Sequence, residues 1–290
     1  MPSMRNGCRR LLLVFFLAAA GAGFADETAP EPVNPPLLWF DVGERLLYDI
    51  YWGIIHVATT EVTTQWVVEE GQPLRIRITY RTKSNGVIAT VYPVDDILES
   101  VIDAETFLPV SFQKKQSEGN YRSDEFTVFD HAAGTMTWQS RLNGNEQTYP
   151  IEADTRDLIT LMYYFRSMSF YVGKQLNFRV MADEKLYDLY VEVVDKEKIN
   201  LSKYGKVPSF RFAPQAAFQG LFVRKGKVTF WVADDDRKLC TQIEAEVPLA
   251  NVRLKLREVT GPGDDHWITD LSDAAKETSS RRGKIGPRRR

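Results

Sequence analysis

The residues best able to do chemistry in this 290-residue chain are few and widely spaced. Its three histidines are His56 at a strand start, His131 in a turn and His266 near the C-terminus. No His-Glu-x-x-His run or Cys/His spacing accompanies them, so the pattern of a zinc site is absent. A Ser-His-Asp triad assembles in space rather than in sequence, but there is no Gly-x-Ser-x-Gly elbow and the surroundings read as strands. Four carboxylates on strands, Asp96, Glu99, Asp124 and Glu125, are of the kind a glycosidase uses as acid and base. Asp96 and Glu99 are an odd number of residues apart, which on a regular strand points them to opposite faces. Arg77 or Arg122 can pair with such groups in a solvated lattice.

Gly220 and Gly226-Lys227 imitate a phosphate loop, but five residues separate the glycines instead of four and no Ser or Thr follows the lysine. Asp234-Asp-Asp236 lacks the glycine and the distal glutamate of a calcium loop and reads as an acidic turn. Cys240 lies on an apolar-alternating strand, where a thiol packs rather than reacts. None of these patterns implies a cofactor. Aromatic residues give the better lead. Trp52, Tyr80, Tyr163, Tyr164, Phe222, Phe230 and Trp231 are the candidate ligand-binding residues, joined by Tyr92 and Phe165 as candidates to line a curved sheet. Such a lining suits an acyl-chain groove or a large core.

Strands must position these groups. The clearest period-2 pattern runs through Leu74, Ile76, Ile78 and Tyr80 against Arg75, Arg77, Thr79 and Arg81, giving one buried face and one wet, basic face. Similar stretches lie at 46–52, 56–68, 96–102, 108–115, 121–129, 135–142, 176–181, 186–194, 198–201 and 209–213. From Gly220 to Leu256 the pattern predicts two long antiparallel strands around the acidic turn and a third from Ala250. Residues 87–94 fit either a short helix or an irregular strand. One segment has helical spacing: apolar residues at 158, 161, 162, 165 and 168, with Asp154 or Thr155 as cap. Few of its positions are polar, so the helix at about 154–168 belongs against or inside the concave face of the sheet. The expected fold is all-β: a large curved antiparallel sheet or barrel of about a dozen strands with one packed helix. A weak repeat relates residues 100–112 to 230–243, each a strand, an acidic turn and a strand led by Leu.

The ends read as something other than fold. Arg5, Arg9 and Arg10 precede the apolar run 11–20, and Gly23-Phe-Ala25 offers a cleavage site, so residues 1–25 are a signal peptide with cleavage near Ala25. Periplasmic or secreted residence follows as an expectation, with no transmembrane segment after cleavage. Cys8 leaves with the signal, so the fold has no internal disulfide and is held by its core. Residues 26–36 read as a disordered leader, 37–260 as a single β-rich domain, and 261–290 as a disordered, basic-ended tail able to touch an anionic surface weakly. The signal carries three arginines and no acid, and the tail seven basic against five acidic residues. With −2 overall, residues 26–260 carry −7, which leaves no footprint for nucleic acid.

Gly43-Glu-Arg-Leu-Leu-Tyr-Asp-Ile-Tyr-Trp-Gly, Asp96-Ile-Leu-Glu-Ser-Val-Ile-Asp-Ala-Glu-Thr-Phe-Leu-Pro, Tyr121-Arg-Ser-Asp-Glu and Gly220-Leu-Phe-Val-Arg-Lys-Gly occur in that order. Together they resemble the exported family called domain of unknown function 3108, from about Gly43 to Glu258. The resemblance implies a secreted or periplasmic β-rich protein and transfers no catalytic residue. The Asp-x-x-Thr-x-Leu-Pro hairpin at 103–109 also resembles lipoprotein-carrier half-barrels, which hold an acyl chain between a curved sheet and helices. The expected function is therefore that of a non-enzymatic envelope factor that binds an apolar, lipid-like ligand. Its alternatives are a structural or protein-interaction module of the envelope and, third, a carbohydrate-active hydrolase.

Overall fold

In a computed structural model, which describes residues 34–182, 185–215, 228–246 and 251–262, the period-2 stretches become fifteen strands rather than a dozen. The first meander comprises β1 (Arg45–Trp52), β2 (Ile55–Val67), β3 (Arg75–Ser84), β4 (Asp95–Asp103), β5 (Pro109–Glu118), β6 (Tyr121–Asp130), β7 (Thr135–Ser140) and β8 (Glu146–Pro150). The second comprises β9 (Arg156–Asp157), β10 (Gln175–Ala182), β11 (Lys185–Leu201), β12 (Gly205–Gln215), β13 (Val228–Ala233), β14 (Cys240–Ala245) and β15 (Val252–Thr260). Two strands escaped the pattern for physical reasons. β8 has no buried residue, so no alternation marks it, and β9 is only two residues long.

All fifteen strands share one sheet, in the order β8-β7-β6-β5-β4-β3-β2-β1-β15-β14-β13-β12-β11-β10-β9. Every pairing is antiparallel except the short β9–β10 contact. β1 is the seam: it pairs with β2 and also with β15, from Arg45↔Thr260 to Trp52↔Val252, so the two meanders become one sheet. On β3 the alternation works as expected, with Ile76 and Ile78 wholly buried and the arginines on the other face.

The sheet must roll. Chain passes from β8 at one edge to β9 at the other through residues 151–155 alone, and six extended steps reach only about 20 Å. The roll carries β9 onto the inner face of β4, where Ser100 Oγ donates to Asp157 Oδ2 at 2.7 Å. Strand twist supplies the curvature.

Inside the roll lies α2 (Leu158–Phe165), with Ile159, Thr160, Leu161, Tyr163 and Phe165 buried. It is shorter than the expected 154–168 and its cap is Asp157, not Asp154 or Thr155. Arg156 and Asp157 remain extended because they pair with Val180 and Met181 of β10. Thr155 Oγ1 instead accepts from Glu152 N, while Asp157 accepts from Thr160 N at 2.9 Å. Beyond Phe165 the chain tightens into i→i+3 bonds, such as Ser167 N to Tyr164 O, and the helix ends. A second helix, α1 (Gly86–Val91), resolves the ambiguous stretch between β3 and β4 and adds to the single helix expected.

The weak repeat is structural. The β4–β5 and β13–β14 hairpins each carry a register shift just before the turn, at Val101/Ile102 and Trp231/Val232. Each then places a non-glycine residue at positive φ directly before the leucine: Phe107 at 55° and Lys238 at 48°. Asp103 N donates to Leu108 O, and Ala233 N to Leu239 O, at equivalent points. Left-handed backbone is costly for such residues unless packing fixes it; Phe107 is buried against Trp39, ring centroids 4.5 Å apart.

Candidate functional site

Residues leading into β1 pack at the lower end of the roll. Trp39 Nε1 donates to Tyr163 O at 2.7 Å, and Phe40 packs against Tyr163 and Phe107, so residues 38–44 seal that end. Just above them sits a fully buried carboxylate, Glu44. Arg166, at the C-terminus of α2, grips it through both guanidinium nitrogens, Nη1 to Oε1 and Nη2 to Oε2, the latter at 3.0 Å. Arg237 adds Nη2 to Oε2 at 3.2 Å, and Arg166 Nε donates to Arg237 O at 2.9 Å. Burial pushes the Glu44 carboxyl up, but the Arg166 charge and hydrogen bonds, with Arg237, hold it below the usual carboxylate range. For Arg166, burial opposes the charge and Glu44 more than restores it, so the guanidinium stays fully protonated. This network welds β1, α2 and the β13–β14 turn.

Tyr80 and Tyr163, two of the sequence candidates, line one cavity with Tyr48, Phe165, Arg166 and Cys240. Its volume is ≈ 20 Å³, room for about one water. The Tyr163 hydroxyl is buried and finds no partner at hydrogen-bonding geometry, although it lies close enough to Glu44 to help keep that carboxyl ionised. Cys240 retains partial exposure as a residue, yet its sulfur is enclosed; burial pushes the thiol up to about 12, so no thiolate forms at neutral pH.

The other candidates go elsewhere. Tyr164 packs against Trp39 and Phe107 and lies under the Arg156 guanidinium, 3.9 Å from the ring centroid. Phe230 stacks on Phe212 and meets Phe165 edge-on in the core of the second meander. Trp231, its neighbour, donates Nε1 to Glu197 and joins the cluster that holds Leu201, Val207 and Leu239. Trp52 is at the opposite end of the roll, half exposed. Phe222 lies outside the described residues, as do the signal, most of the leader and nearly all of the tail.

The strand carboxylates divide as period 2 requires. Glu99 faces outward and pairs with Arg77 Nε at 3.1 Å; Asp124 accepts from Gln113. Arg122 spends its guanidinium on the carbonyls of Gly119 and Tyr121 instead. Asp96 and Glu125 face inward. Glu125 is ion-paired to Lys114 at 3.0 Å and accepts from Trp138 Nε1 at 3.3 Å. Partial burial works against its ionisation, but Ser123 and Lys114 hold its carboxyl low, so it stays ionised and is unfit as a general acid. Asp96 accepts from Ser117 N at 2.8 Å; Glu118 beside it is raised by burial and then by the Asp96 charge. The upper interior of the first meander is therefore polar. His56 faces Asp49 at 3.2 Å and Asn85, and His131 meets Pro109 O at 3.0 Å, so neither histidine holds a serine. Among the described residues no three His, Cys, Asp or Glu side chains gather as a metal requires.

The end opposite the Glu44 network collects the β1–β2, β3–β4, β5–β6, β7–β8 and β14–β15 connections. Eight of the fourteen exposed large apolar residues among those described lie there: Trp52, Ile54 and Ile55; Val87, Val91 and Tyr92; Tyr121; and Leu142. Backbone bonds hold the first three connections in an arc. Gly53 N donates to Asn251 O, Asn85 N to Val57 O, and Gly119 N to Pro93 O. Gly119, at φ +52°, lets the Tyr92 ring lie flat on the β5–β6 turn; a Cβ there meets the ring at 3.0 Å.

Residues 47–257, from within β1 to within β15, match the family described as "Protein of unknown function (DUF3108)". The chain belongs to this family. No curated protein matches. Solved structures that are similar include a β-barrel-like protein of the DUF1849 family from Brucella abortus, at 11% identity and TM-score 0.46, covering 75% of this chain and 97% of that one. A protein from Bacteroides fragilis described as exported, with a YmcC-like fold, covers 76% and 97% at 9% identity and TM-score 0.34. A protein from Parabacteroides distasonis described as a lipoprotein covers 77% and 98% at 10% identity and TM-score 0.32. Within this DUF3108 domain, no helix of the described residues is long and apolar enough to cross a membrane. Sequence reasoning missed Glu44, Arg166 and Arg237 because they are separated by more than a hundred and by about seventy residues; the one signal was an arginine on the last turn of an otherwise oily helix.

Proposed function

We propose that this DUF3108 protein is an exported, non-enzymatic binding module of the cell envelope that works through the apolar rim of its rolled sheet. The observation that carries the reading is α1. No residue of this helix is buried, yet Val87 and Val91 are 77% and 80% exposed, and Ile54 on the adjoining hairpin tip is 96% exposed. Apolar side chains that contribute nothing to the core and cluster on one end mark an interaction surface. The export half of the reading rests on Arg5, Arg9, Arg10, the apolar run and Ala25.

Carriage of an acyl chain inside the roll, the other form of the reading, has less support. Ligand pockets run to about 300–1,000 Å³, whereas the cavity at Tyr80 and Tyr163 is ≈ 20 Å³. Of the aromatics proposed as its lining, Tyr80, Tyr163, Tyr164, Phe230 and Trp231 pack in or against the core clusters. Of the seven candidates, Trp52 is the one the rim reading keeps.

Substituting Ile54→Asp and Val91→Asp together tests the proposal. Neither side chain is packed, so the melting temperature is expected to stay within about 2 °C of wild type. The protein should nevertheless move from the envelope-associated fraction to the unattached fraction of fractionated cells. Unchanged association of a normally folded variant rules the rim out.

A further inference from the structure

We infer that His56 is a proton-operated latch on α1, fastening the helix when its ring is protonated and releasing it when neutral. α1 needs a fastening. None of its residues is buried, and its N-cap, Asn85, makes no side-chain bond to the helix. The Asn85 side chain turns to β2 instead. A bulge at Val57 in the β1–β2 ladder lets two successive carbonyls face it: Asn85 Nδ2 donates to His56 O at 3.2 Å and to Val57 O at 2.9 Å. Asn85 Oδ1 is left to accept from His56 Nδ1 at 2.9 Å, which places a proton on that nitrogen. The other ring nitrogen, Nε2, lies 3.2 Å from Asp49 Oδ1. Both ring nitrogens therefore face acceptors, and only the imidazolium has a proton for each.

A neutral ring has one proton for two acceptors. Kept on Nδ1, it leaves the Nε2 lone pair against the Asp49 carboxylate. Moved to Nε2, it leaves a bare Nδ1 against Asn85 Oδ1; the amide then turns to offer Nδ2, and its oxygen meets the two carbonyls. Either way an anchor of α1 is lost. The surrounding charges keep Asp49 in place: Arg257 Nη1 donates to its Oδ1 at 2.8 Å, and Lys255 stands opposite it on β15. The Tyr51 ring lies 5.2 Å from the imidazole, and its hydroxyl is raised by burial and then by the Asp49 charge, so it stays a neutral phenol. On β3, Lys83 pairs with Asp95, and α1 itself carries no charge. Histidine is the side chain that changes charge between about pH 5 and about pH 8. The fastening is therefore complete on the acid side and lost as pH rises. Because α1 bears Val87 and Val91, the latch sets how firmly the rim is presented, but it stands on β1, β2 and Asn85 whatever the rim binds.

Amide hydrogen exchange of the purified chain reads the helix directly. The reporters are the amides of Ala89 and Tyr92, which close α1 onto Asn85 O and Ile88 O. With rates divided by their intrinsic values, protection is expected to fall about tenfold between about pH 5.5 and about pH 8, the worth of two lost side-chain bonds. His56→Gln cannot titrate, so its protection should be the same at both pH values. Asp49→Asn offers Nε2 a donor, so the neutral ring keeps its bond to Asn85 and protection persists at the higher pH. His131→Gln, on the β6–β7 turn, should behave as wild type. Equal protection of wild type at both pH values overturns the inference. So does a pH-dependent loss that survives His56→Gln, or one that Asp49→Asn fails to prevent. None of these readings involves envelope association, so the latch and the rim reading fail separately.

Discussion

Arg166→Ala is expected to destabilise the protein by about 3–5 kcal/mol at neutral pH, lowering the melting temperature by about 6–20 °C. The substitution leaves Glu44, 0% exposed, with Arg237 as its one remaining cation among the described residues, and an under-compensated buried carboxylate is costly. It also strips the guanidinium from over the Phe40 and Tyr163 rings, 5.3 and 5.0 Å from their centroids. The pH dependence separates charge from packing. In wild type the Glu44 carboxyl is depressed from 4.5, so its stabilisation is present above that value and is lost as pH falls through the folded one. In the variant, burial dominates and the carboxyl rises, so its penalty is relieved on acidification. The gap between variant and wild type should therefore narrow from pH 7 towards pH 4. Paired replacement, Glu44→Leu with Arg166→Met, is expected to recover most of the loss because it removes charge and partner together. Denaturant titrations of wild type and the two variants at two pH values check this; a deficit that is independent of pH contradicts it.

Phe165→Ala should cost a comparable ~3–5 kcal/mol without any pH dependence. Phe165 is 2% exposed and meets Phe178, Phe212 and Phe230 at centroid distances of 4.9, 5.8 and 5.7 Å. It is the wedge by which α2 holds the second meander in its curve. Truncation leaves a cavity walled by stiff aromatic rings and sheet backbone, which close poorly around it. Phe165→Leu keeps most of the volume and should lose less than half as much. Thermal melts of the pair distinguish a wedge from a surface aromatic: equal and small losses in both contradict this placement.

These two residues also show what the sequence made legible. Phe165 was visible, because the apolar spacing from 158 to 168 is helical and nearly without a polar face, which requires a buried helix. Arg166 interrupts that run and reads as an ordinary surface cation until Glu44 is folded onto it. Long-range ion pairs carry no local period, so no spacing rule finds them. The strands with one buried face, such as β3, announced themselves; β8 and β9 did not, having either no buried face or no length. Asp157 was passed over as the cap because two-residue pairing with β10 decides where the helix starts, and nothing within residues 154–157 encodes that partner. The rim lay hidden for a different reason. Ile54, Val87 and Val91 look like core residues in any alternating count, and only their exposure shows that the fold leaves them outside.

The central claim, that the working surface is the rim and not the interior, is tested most directly by site-specific photo-crosslinking in intact cells. A benzophenone side chain is placed at Ile54, at Val91, or at Tyr171, which is 63% exposed ahead of β10 towards the opposite end. Adducts to an envelope component, lipid or protein, are expected from Ile54 and Val91 and not from Tyr171. Adducts from Tyr171 with none from the two rim positions contradict the account.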